Sequence, residues 1–229
     1  MGRPPRTIGD DLIYHALNRG NNGQRVFEDD DDLHVFSQTM RQTQTRYPFR
    51  LYGYCLMPNH FHLLLKPEPG VSISRVLQSI TVAHTWRHHK RHRSLGHVWQ
   101  GRFKSPVIQE DEHFWTVLRY IEANPVRAKL VEDPSEYRWS SYGAHALGKV
   151  EPLLTELPGW NDLGSTEKQR RTRWRAKVVG EIAEDELNAV RTSARLGRPF
   201  GSTSWTEATA RRLGIPLGDR PRGRPRKTS

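Results

Sequence analysis

The sequence has little cysteine, no long apolar run and a deficit of negative charge. Cys55 is the single cysteine among 229 residues, so an intramolecular disulfide and a multi-cysteine zinc site are both excluded. Apolar runs such as Leu63 to Leu65 are short, whereas a transmembrane helix needs roughly 20 apolar residues. Residues 1–11 hold no apolar segment of the kind that a secretory signal requires. These absences predict a protein of the reducing cytoplasm.

Positive charge is in excess. Lys and Arg number 36 against 25 Asp and Glu, which gives a formal net charge of +11 at pH 7. Such an excess predicts a polyanionic partner, with nucleic acid first and an anionic membrane surface second. The excess is denser towards the C-terminus, with 20 basic and 15 acidic residues in 1–150 but 16 and 10 in 151–229. A nucleic-acid partner would place the protein at the nucleoid.

Hydrophobic periodicity predicts both strands and helices in the first two thirds of the chain. Apolar residues alternate loosely at 13–17, and the acidic run Asp29–Asp32 favours a helix N-terminus. The predicted order is strand 13–17, returning strand 24–27, helix to about 45, strands 49–57 and 61–65, helix 72–93, strand 99–107 and helix 110–121. This order predicts an α+β domain with helices packed on an antiparallel sheet.

The composition changes at about Val150. Pro and Gly residues between 152 and 164 interrupt the pattern, and 166–196 has a helical, densely charged pattern. We therefore expect a first domain at 1–150 and a helical extension at 151–229, which ends in a disordered basic tail.

His60 and His62 flank Phe61 in one of the predicted strands. Alternate strand residues share a face, so the two imidazoles lie side by side while Phe61 faces the core. Two imidazoles on one rigid strand can hold a divalent metal at adjacent coordination positions. Taken alone, however, the pair is better explained as two unrelated histidines on a polar face.

Tyr120 and Asn124 stand four residues apart on a predicted helix, and this spacing puts them on one helix face. A tyrosine oxygen can attack phosphorus once a metal and basic groups favour the phenolate, and the Asn124 oxygen can supply a further metal ligand. Taken alone, both residues have simpler explanations. Tyr commonly packs on amphipathic helices, and Asn before Pro125 is typical of a helix boundary.

Two basic segments predict contacts with DNA. Residues 84–93 contain four Lys or Arg and four His, which suits the backbone of a DNA hairpin, although a solvated helix face has the same composition. Residues 220–227 resemble an AT-hook, whose Gly-Arg-Pro core lies in a narrow minor groove, and a non-specific tail is the alternative. The predicted DNA-binding residues are Arg87, Lys90, Arg91, Arg93, Arg102, Lys104, Arg127, Arg220, Arg222, Arg224, Arg226 and Lys227.

Four blocks of residues follow one another over most of residues 13–142. The blocks are Tyr14-His15 with Asn18-Arg19-Gly20-Asn21, Met57-Pro58-Asn59-His60-Phe61-His62, Trp99 to Ser105, and Tyr120 to Ala128, followed by Trp139 to Tyr142. Four ordered blocks are a specific signal, and together they resemble the single-tyrosine HUH transposases, and within them the bacterial subgroup associated with repetitive extragenic palindromes (REP).

The resemblance implies a ferredoxin-like α+β domain and a role for each matching residue. It makes His60 and His62 the metal ligands and Tyr120 the nucleophile, while Asn124 matches the position of a third ligand. The cofactor implied is Mg²⁺ or Mn²⁺. The reaction implied is nicking and strand transfer of single-stranded DNA at hairpin-forming palindromic repeats, through a 5′-phosphotyrosine. The energy of the phosphodiester bond stays in the covalent link to the protein, so the reaction needs no ATP. In agreement, no GxxxxGK[ST] nucleotide-binding loop occurs in the sequence.

Two other functions stay open on the sequence alone. One is a non-catalytic DNA-binding protein on the same fold. The other is a metal-dependent RNA-binding module, which would explain the charge but not the block around Tyr120. The expected partner is single-stranded or hairpin DNA, without a membrane or a nucleotide cofactor, and the expected assembly is a monomer or a homodimer.

Overall fold

A four-stranded antiparallel sheet forms the centre of the protein. The computed structural model describes residues 11–218. The strands are β1 (Ile13–Arg19), β2 (Phe49–Met57), β3 (His60–Pro67) and β4 (Val107–Ile108), in the order β2-β3-β1-β4. Helix α1 (Asp30–Arg46) joins β1 to β2, and α2 (Ile73–His92) joins β3 to β4. This strand order and connectivity confirm the predicted ferredoxin-like α+β fold.

Local sequence explains where these elements begin. The Asp29 carboxylate accepts the backbone N–H groups of Asp31 and Asp32 and so caps α1, and the Ser72 hydroxyl caps α2 in the same way. Pro58 and Asn59 form the turn between β2 and β3, which sets Met57 opposite His60. That register decides which side chains of β3 face each side of the sheet.

The two faces of the sheet bury two different cores. On one face, Phe61 and Leu63 pack with residues of α1 and α2. On the other, Leu64 packs with α3 (Glu112–Glu122). Gly53 in β2 permits the close approach of α3, since a Cβ there would collide with Leu118.

The remaining helices lie further along the chain. They are α4 (Asn124–Arg127), α5 (Tyr142–Leu147), α6 (Glu167–Val179), α7 (Glu184–Leu196) and α8 (Thr203–Arg212). Trp174 of α6 and Val190 of α7 belong to the same core as α3. The division of the chain at residue 150 stays a prediction. Among the helices of residues 11–218, none combines the length and apolarity that crossing a membrane demands.

Two predicted strands are absent or shorter than expected. Residues 24–27 form no strand, because the N–H groups of Val26 and Phe27 both donate to the one carbonyl of Pro58 at 2.8 and 3.1 Å. Of the strand predicted at 99–107, only its end belongs to a strand, β4 (Val107–Ile108). Before β4, Trp99 and Lys104 form isolated β-bridges with Gly20 and Leu17. Gly101, with φ of +75°, interrupts the extended backbone between those bridges.

Candidate active site

The pairing of β1 with β3 brings three histidines to the face that α3 covers. Leu17 lies opposite His62 and Arg19 opposite His60, so His15 is a diagonal neighbour of His62. Diagonal cross-strand neighbours on one face lie within reach of each other. The His60 and His62 rings are in contact at a centroid distance of 5.0 Å, as the alternation of the strand predicted.

His15 and His62 form a direct pair. His15 Nε2 lies 2.8 Å from His62 Nδ1, and the rings stack with centroids 5.0 Å apart. Burial lowers the pKa of His15 to about 3. Burial also lowers the pKa of His62 well below its ordinary value, with the neighbouring His60 and His15 adding to the effect. Both rings are therefore neutral at pH 7.

His60 is held from the turn that precedes it. His60 Nδ1 lies 2.6 Å from Asn59 Oδ1, and Asn59 Nδ2 donates to the carbonyl of Gly23 at 3.2 Å. Because the amide nitrogen is used at Gly23, the oxygen faces the ring, and an amide oxygen can only accept. The proton of His60 therefore sits on Nδ1, which leaves Nε2 with a lone pair. Burial, with smaller effects of Arg19 and Arg127, lowers the pKa of His60 to about 4.

Tyr120 projects from α3 onto this group. Its ring centroid lies 5.8 Å from that of His62 and 6.0 Å from that of His15, edge to face in both cases. The Arg127 guanidinium lies 4.1 Å from the centroid of the Tyr120 ring, and Arg127 Nη1 donates to the Tyr120 carbonyl at 3.1 Å. The nucleophile predicted from sequence is thus packed between two imidazoles and one cation.

Asn124 lies at the junction of α3 and α4. It is buried, and within the described part of the chain its Nδ2 atom has no hydrogen-bond partner. Pro125 follows it in the first turn of α4, so the helix boundary expected before proline is also present. A buried amide nitrogen without an acceptor is costly, and a metal ion, which binds the amide oxygen, does not satisfy it. The imidazole nitrogens of His60 and His62 and the amide oxygen of Asn124 are nonetheless donor types that suit a divalent ion such as Mn²⁺.

A buried carboxylate anchors the helix that carries Tyr120. Glu122 is fully buried, and its Oε1 accepts from Ser141 Oγ at 2.5 Å and lies 2.6 Å from His145 Nδ1. Its Oε2 accepts from Trp174 Nε1 at 2.8 Å. These partners come from the segment before α5, from α5 and from α6, so the network ties α3 to later parts of the chain.

A different group has ligand atoms close enough together to hold a metal. Atoms of Asp111, Glu112 and His113 lie within 4.8 Å of one another. Asp111 Oδ1 accepts the backbone N–H of His113 at 2.9 Å and lies 2.7 Å from His113 Nδ1. This bonding makes Asp111 the N-cap of α3.

The basic residues predicted to bind DNA lie in different surroundings. Arg91 of α2 is within 3.1 Å of carboxylate oxygens of Asp29, Asp31 and Asp32. Lys104 pairs with Leu17 next to β1, in the row of the sheet that contains His62. Arg87, Lys90, Arg93 and Arg102 are exposed. Arg220, Arg222, Arg224, Arg226 and Lys227 lie outside the described residues.

Sequence reasoning gave no role to His15, Arg19 or Glu122. His15 and Arg19 are alternate residues of β1 and share the site face, a pattern visible in the sequence. Their contact with His62 and His60 depends on the register with β3, which the pattern does not give. Glu122 follows Phe114 and Leu118 at four-residue spacing, which puts it on the apolar face of α3, but the sequence does not show which partners it meets there.

Comparisons with known proteins identify the family and the fold of this chain. The family model described as "Transposase IS200 like" matches residues 9–124. A curated Haemophilus influenzae protein, provisionally named a REP-associated tyrosine transposase, is 26% identical over 133 residues, which cover 53% of this chain and 75% of the relative. The solved structure of a REP-associated tyrosine transposase bound to a REP hairpin is similar with a TM-score of 0.54 at 15% identity, over 69% of this chain and 99% of that one. The resemblance to REP-associated tyrosine transposases is confirmed, and the protein belongs to the IS200-like transposase family, whose members are enzymes.

Proposed function

We propose that this protein nicks and joins single-stranded DNA at hairpin-forming palindromic repeats, with Tyr120 as the nucleophile. The observation that carries the proposal is the meeting of His60, His62 and Tyr120 on one buried face, with the Tyr120 and His62 rings 5.8 Å apart. The similar structure that is bound to a REP hairpin supports the substrate class.

His60 and His62 would hold a divalent metal, Mg²⁺ or Mn²⁺, and Asn124 would supply a third ligand. When bound, such an ion would polarise the scissile phosphate and offset the charge that develops on it. The strand fixes the two imidazoles relative to each other, and Asn59 fixes the proton of His60 on the far nitrogen. The ligands are thus oriented before the metal binds, which favours affinity.

The transfer to Tyr120 needs no co-reactant. The phenolic oxygen loses its proton and forms a bond to phosphorus while the bond from phosphorus to the 3′ oxygen breaks. The leaving oxygen takes up a proton, so the products are a 5′-phosphotyrosine and a free 3′-OH. Attack by another 3′-OH reverses these steps and joins two strands. Arg127 restricts the ring of Tyr120 from one side.

Basic side chains beside the site can bind the DNA backbone. Lys104 shares the face of His62 through its pairing with Leu17, and Arg19 is exposed opposite His60. Arg102 is exposed on the segment between the Trp99 and Lys104 bridges. Phosphate contacts position the strand without reading its sequence, so these residues orient the DNA towards Tyr120.

Covalent capture tests the proposal. A hairpin oligonucleotide labelled at its 3′ end should give a protein–DNA band on a denaturing gel with Mg²⁺ or Mn²⁺, and the same DNA labelled at its 5′ end should give only a shorter free strand. Tyr120→Phe should bind the hairpin but give neither product. Tyr47→Phe, at the end of α1 on the other side of the sheet, is the matched control and should cleave normally.

Other outcomes would contradict the proposal in distinct ways. Hairpin binding by the wild type without cleavage in either metal would favour the non-catalytic DNA-binding function. A covalent band that survives Tyr120→Phe would assign the nucleophile to another residue. Tighter binding of single-stranded RNA than of the DNA hairpin would favour the RNA-binding alternative.

A further inference from the structure

We propose that His15 is a positioning residue for His62: it accepts a hydrogen bond from His62 Nδ1 and thereby keeps the lone pair of His62 on Nε2, where a metal can bind. The inference rests on the proposed function in taking His62 as a metal ligand. It assigns a role to a residue of β1 that lies outside the ligand set and is not the nucleophile.

The contact between the two rings requires one donor and one acceptor. His15 Nε2 and His62 Nδ1 lie 2.8 Å apart, and a hydrogen bond between two ring nitrogens needs one that carries a proton and one that carries a lone pair. In one arrangement His15 donates, and His62 then carries its proton on Nε2 and cannot bind a metal there. In the other His62 donates, and its Nε2 is free.

His60 shows the same arrangement with a simpler partner. The oxygen of Asn59 can only accept, so it places the proton of His60 on Nδ1. Both histidines of the pair therefore meet a fixed group at Nδ1 and present Nε2 elsewhere. A ligating imidazole commonly donates its other N–H to an acceptor of this kind, and loss of the acceptor typically costs about 10–100-fold in metal affinity.

The position of His15 in the sheet makes it a rigid acceptor. It is buried in β1, pairs with Leu64 across the ladder and stacks on the His62 ring. The Tyr120 ring also lies near it, with the two ring centroids 6.0 Å apart. The ring of His15 thus has a packing role as well. A test must separate the loss of its hydrogen-bond acceptor from the loss of its packing.

Two substitutions make that separation. His15→Phe keeps a ring but removes the acceptor, whereas His15→Gln can place its side-chain oxygen near the position of Nε2. In the full-length, metal-free, ¹⁵N-labelled protein, long-range ¹H–¹⁵N spectra report which nitrogen of His62 carries the proton, and the His62 signals are identified by their loss in His62→Gln. We expect the proton on Nδ1 in the wild type and in His15→Gln, and on Nε2 in His15→Phe.

Mn²⁺ binding, followed by electron paramagnetic resonance without DNA, gives a second measurement. His15→Phe should weaken binding by about 10–100-fold, and His15→Gln should restore most of it. A wild-type proton on Nε2 of His62, or unchanged Mn²⁺ affinity in a folded His15→Phe, would overturn the inference. Neither measurement uses cleavage. Failure of the proposed function would look different: the expected tautomer and Mn²⁺ binding, but no covalent DNA.

Discussion

Both faces of the sheet bury histidines, but they use them differently. On the site face, His62 bonds to another imidazole and lies against Tyr120. On the face that α1 and α2 cover, His84 Nε2 lies 2.9 Å from the Val26 carbonyl oxygen, and the His84 ring packs against Phe27 and Trp99. In the sequence, the segment with His60 and His62 and the segment with His84 are both rich in histidine. Their partners distinguish the two sets: His62 contacts His15 and Tyr120, whereas the His84 ring packs among aromatic core residues.

The basic residues of α2 and of the segment beside β1 differ in the carboxylates that surround them. The acidic first turn of α1 surrounds Arg91, and Asp32 also contacts His92 at 3.0 Å. Part of the charge of α2 is therefore paired with carboxylates, although Arg87 and Lys90 of the same helix and Arg93 at its end are exposed. Arg102 is likewise exposed, on the segment beside β1. Density of positive charge in the sequence is a poor guide to which cations are available to DNA.

The largest expected difference between the faces is in activity. His62→Ala or His60→Ala should lower cleavage on the order of 10³-fold, and the double variant should lose little more, because the two residues act as one unit. EDTA should stop the wild type. His34→Ala, an exposed histidine of α1, is the control. Near-normal rates in either single variant with metal present would place the site elsewhere.

A second prediction concerns the pH dependence of stability. Burial lowers the pKa of His84 to about 4 from an ordinary 6.5. Between these two pH values His84 is therefore protonated in the unfolded chain but stays neutral in the folded protein. The contribution of His84 to the free energy of unfolding should thus be complete above pH 6.5. It should decrease by on the order of 3 kcal/mol as the pH drops towards 4.

Denaturant titrations at several pH values measure this loss. In His84→Gln, whose amide can still donate to Val26, the fall between pH 6.5 and 4 should be smaller than in the wild type. His34→Gln should leave it unchanged. An identical fall in all three proteins would show that His84 does not contribute.

A third prediction concerns the anchor of the site helix. Trp174→Phe leaves Oε2 of the buried Glu122 without its donor, and a buried acceptor left without a hydrogen bond costs about 2 kcal/mol of unfolding free energy. Trp160→Phe removes a similar bond, to the partly exposed Glu167, and should cost below about 1 kcal/mol. Equal losses, measured by chemical denaturation, would mean that packing alone holds α3.

The smallest expected effect is on the salt dependence of DNA binding. Each lost phosphate contact should reduce the slope of log K against log salt by about 0.7 for a single strand. We expect that change for Arg102→Ala and a smaller one for Arg91→Ala, whose guanidinium is held by aspartates. An equal change in both variants, measured by fluorescence anisotropy, would show that α2 contacts DNA as strongly as the segment beside β1.

Much of the local structure could be predicted from the sequence, since it depends on neighbours in the chain. The acidic run before Leu33 fixes the start of α1, and the alternation around Phe61 fixes which residues of β3 share a face. The strand predicted at 24–27 is wrong because the N–H groups of Val26 and Phe27 donate to the carbonyl of Pro58, which is more than thirty residues away in the sequence.

The sequence by itself determined the strand faces, the main helices and, through ordered blocks, the family to which the chain belongs. The tertiary structure decided what those residues meet. The register of β1 on β3 places His15 on His62, the burial of Glu122 joins α3 to α6, and the fold of α1 onto α2 pairs Arg91 with aspartates. The physical reason is that alternation and helical spacing fix only the direction of a side chain, whereas hydrogen bonds and pKa values depend on partners that are distant in the sequence.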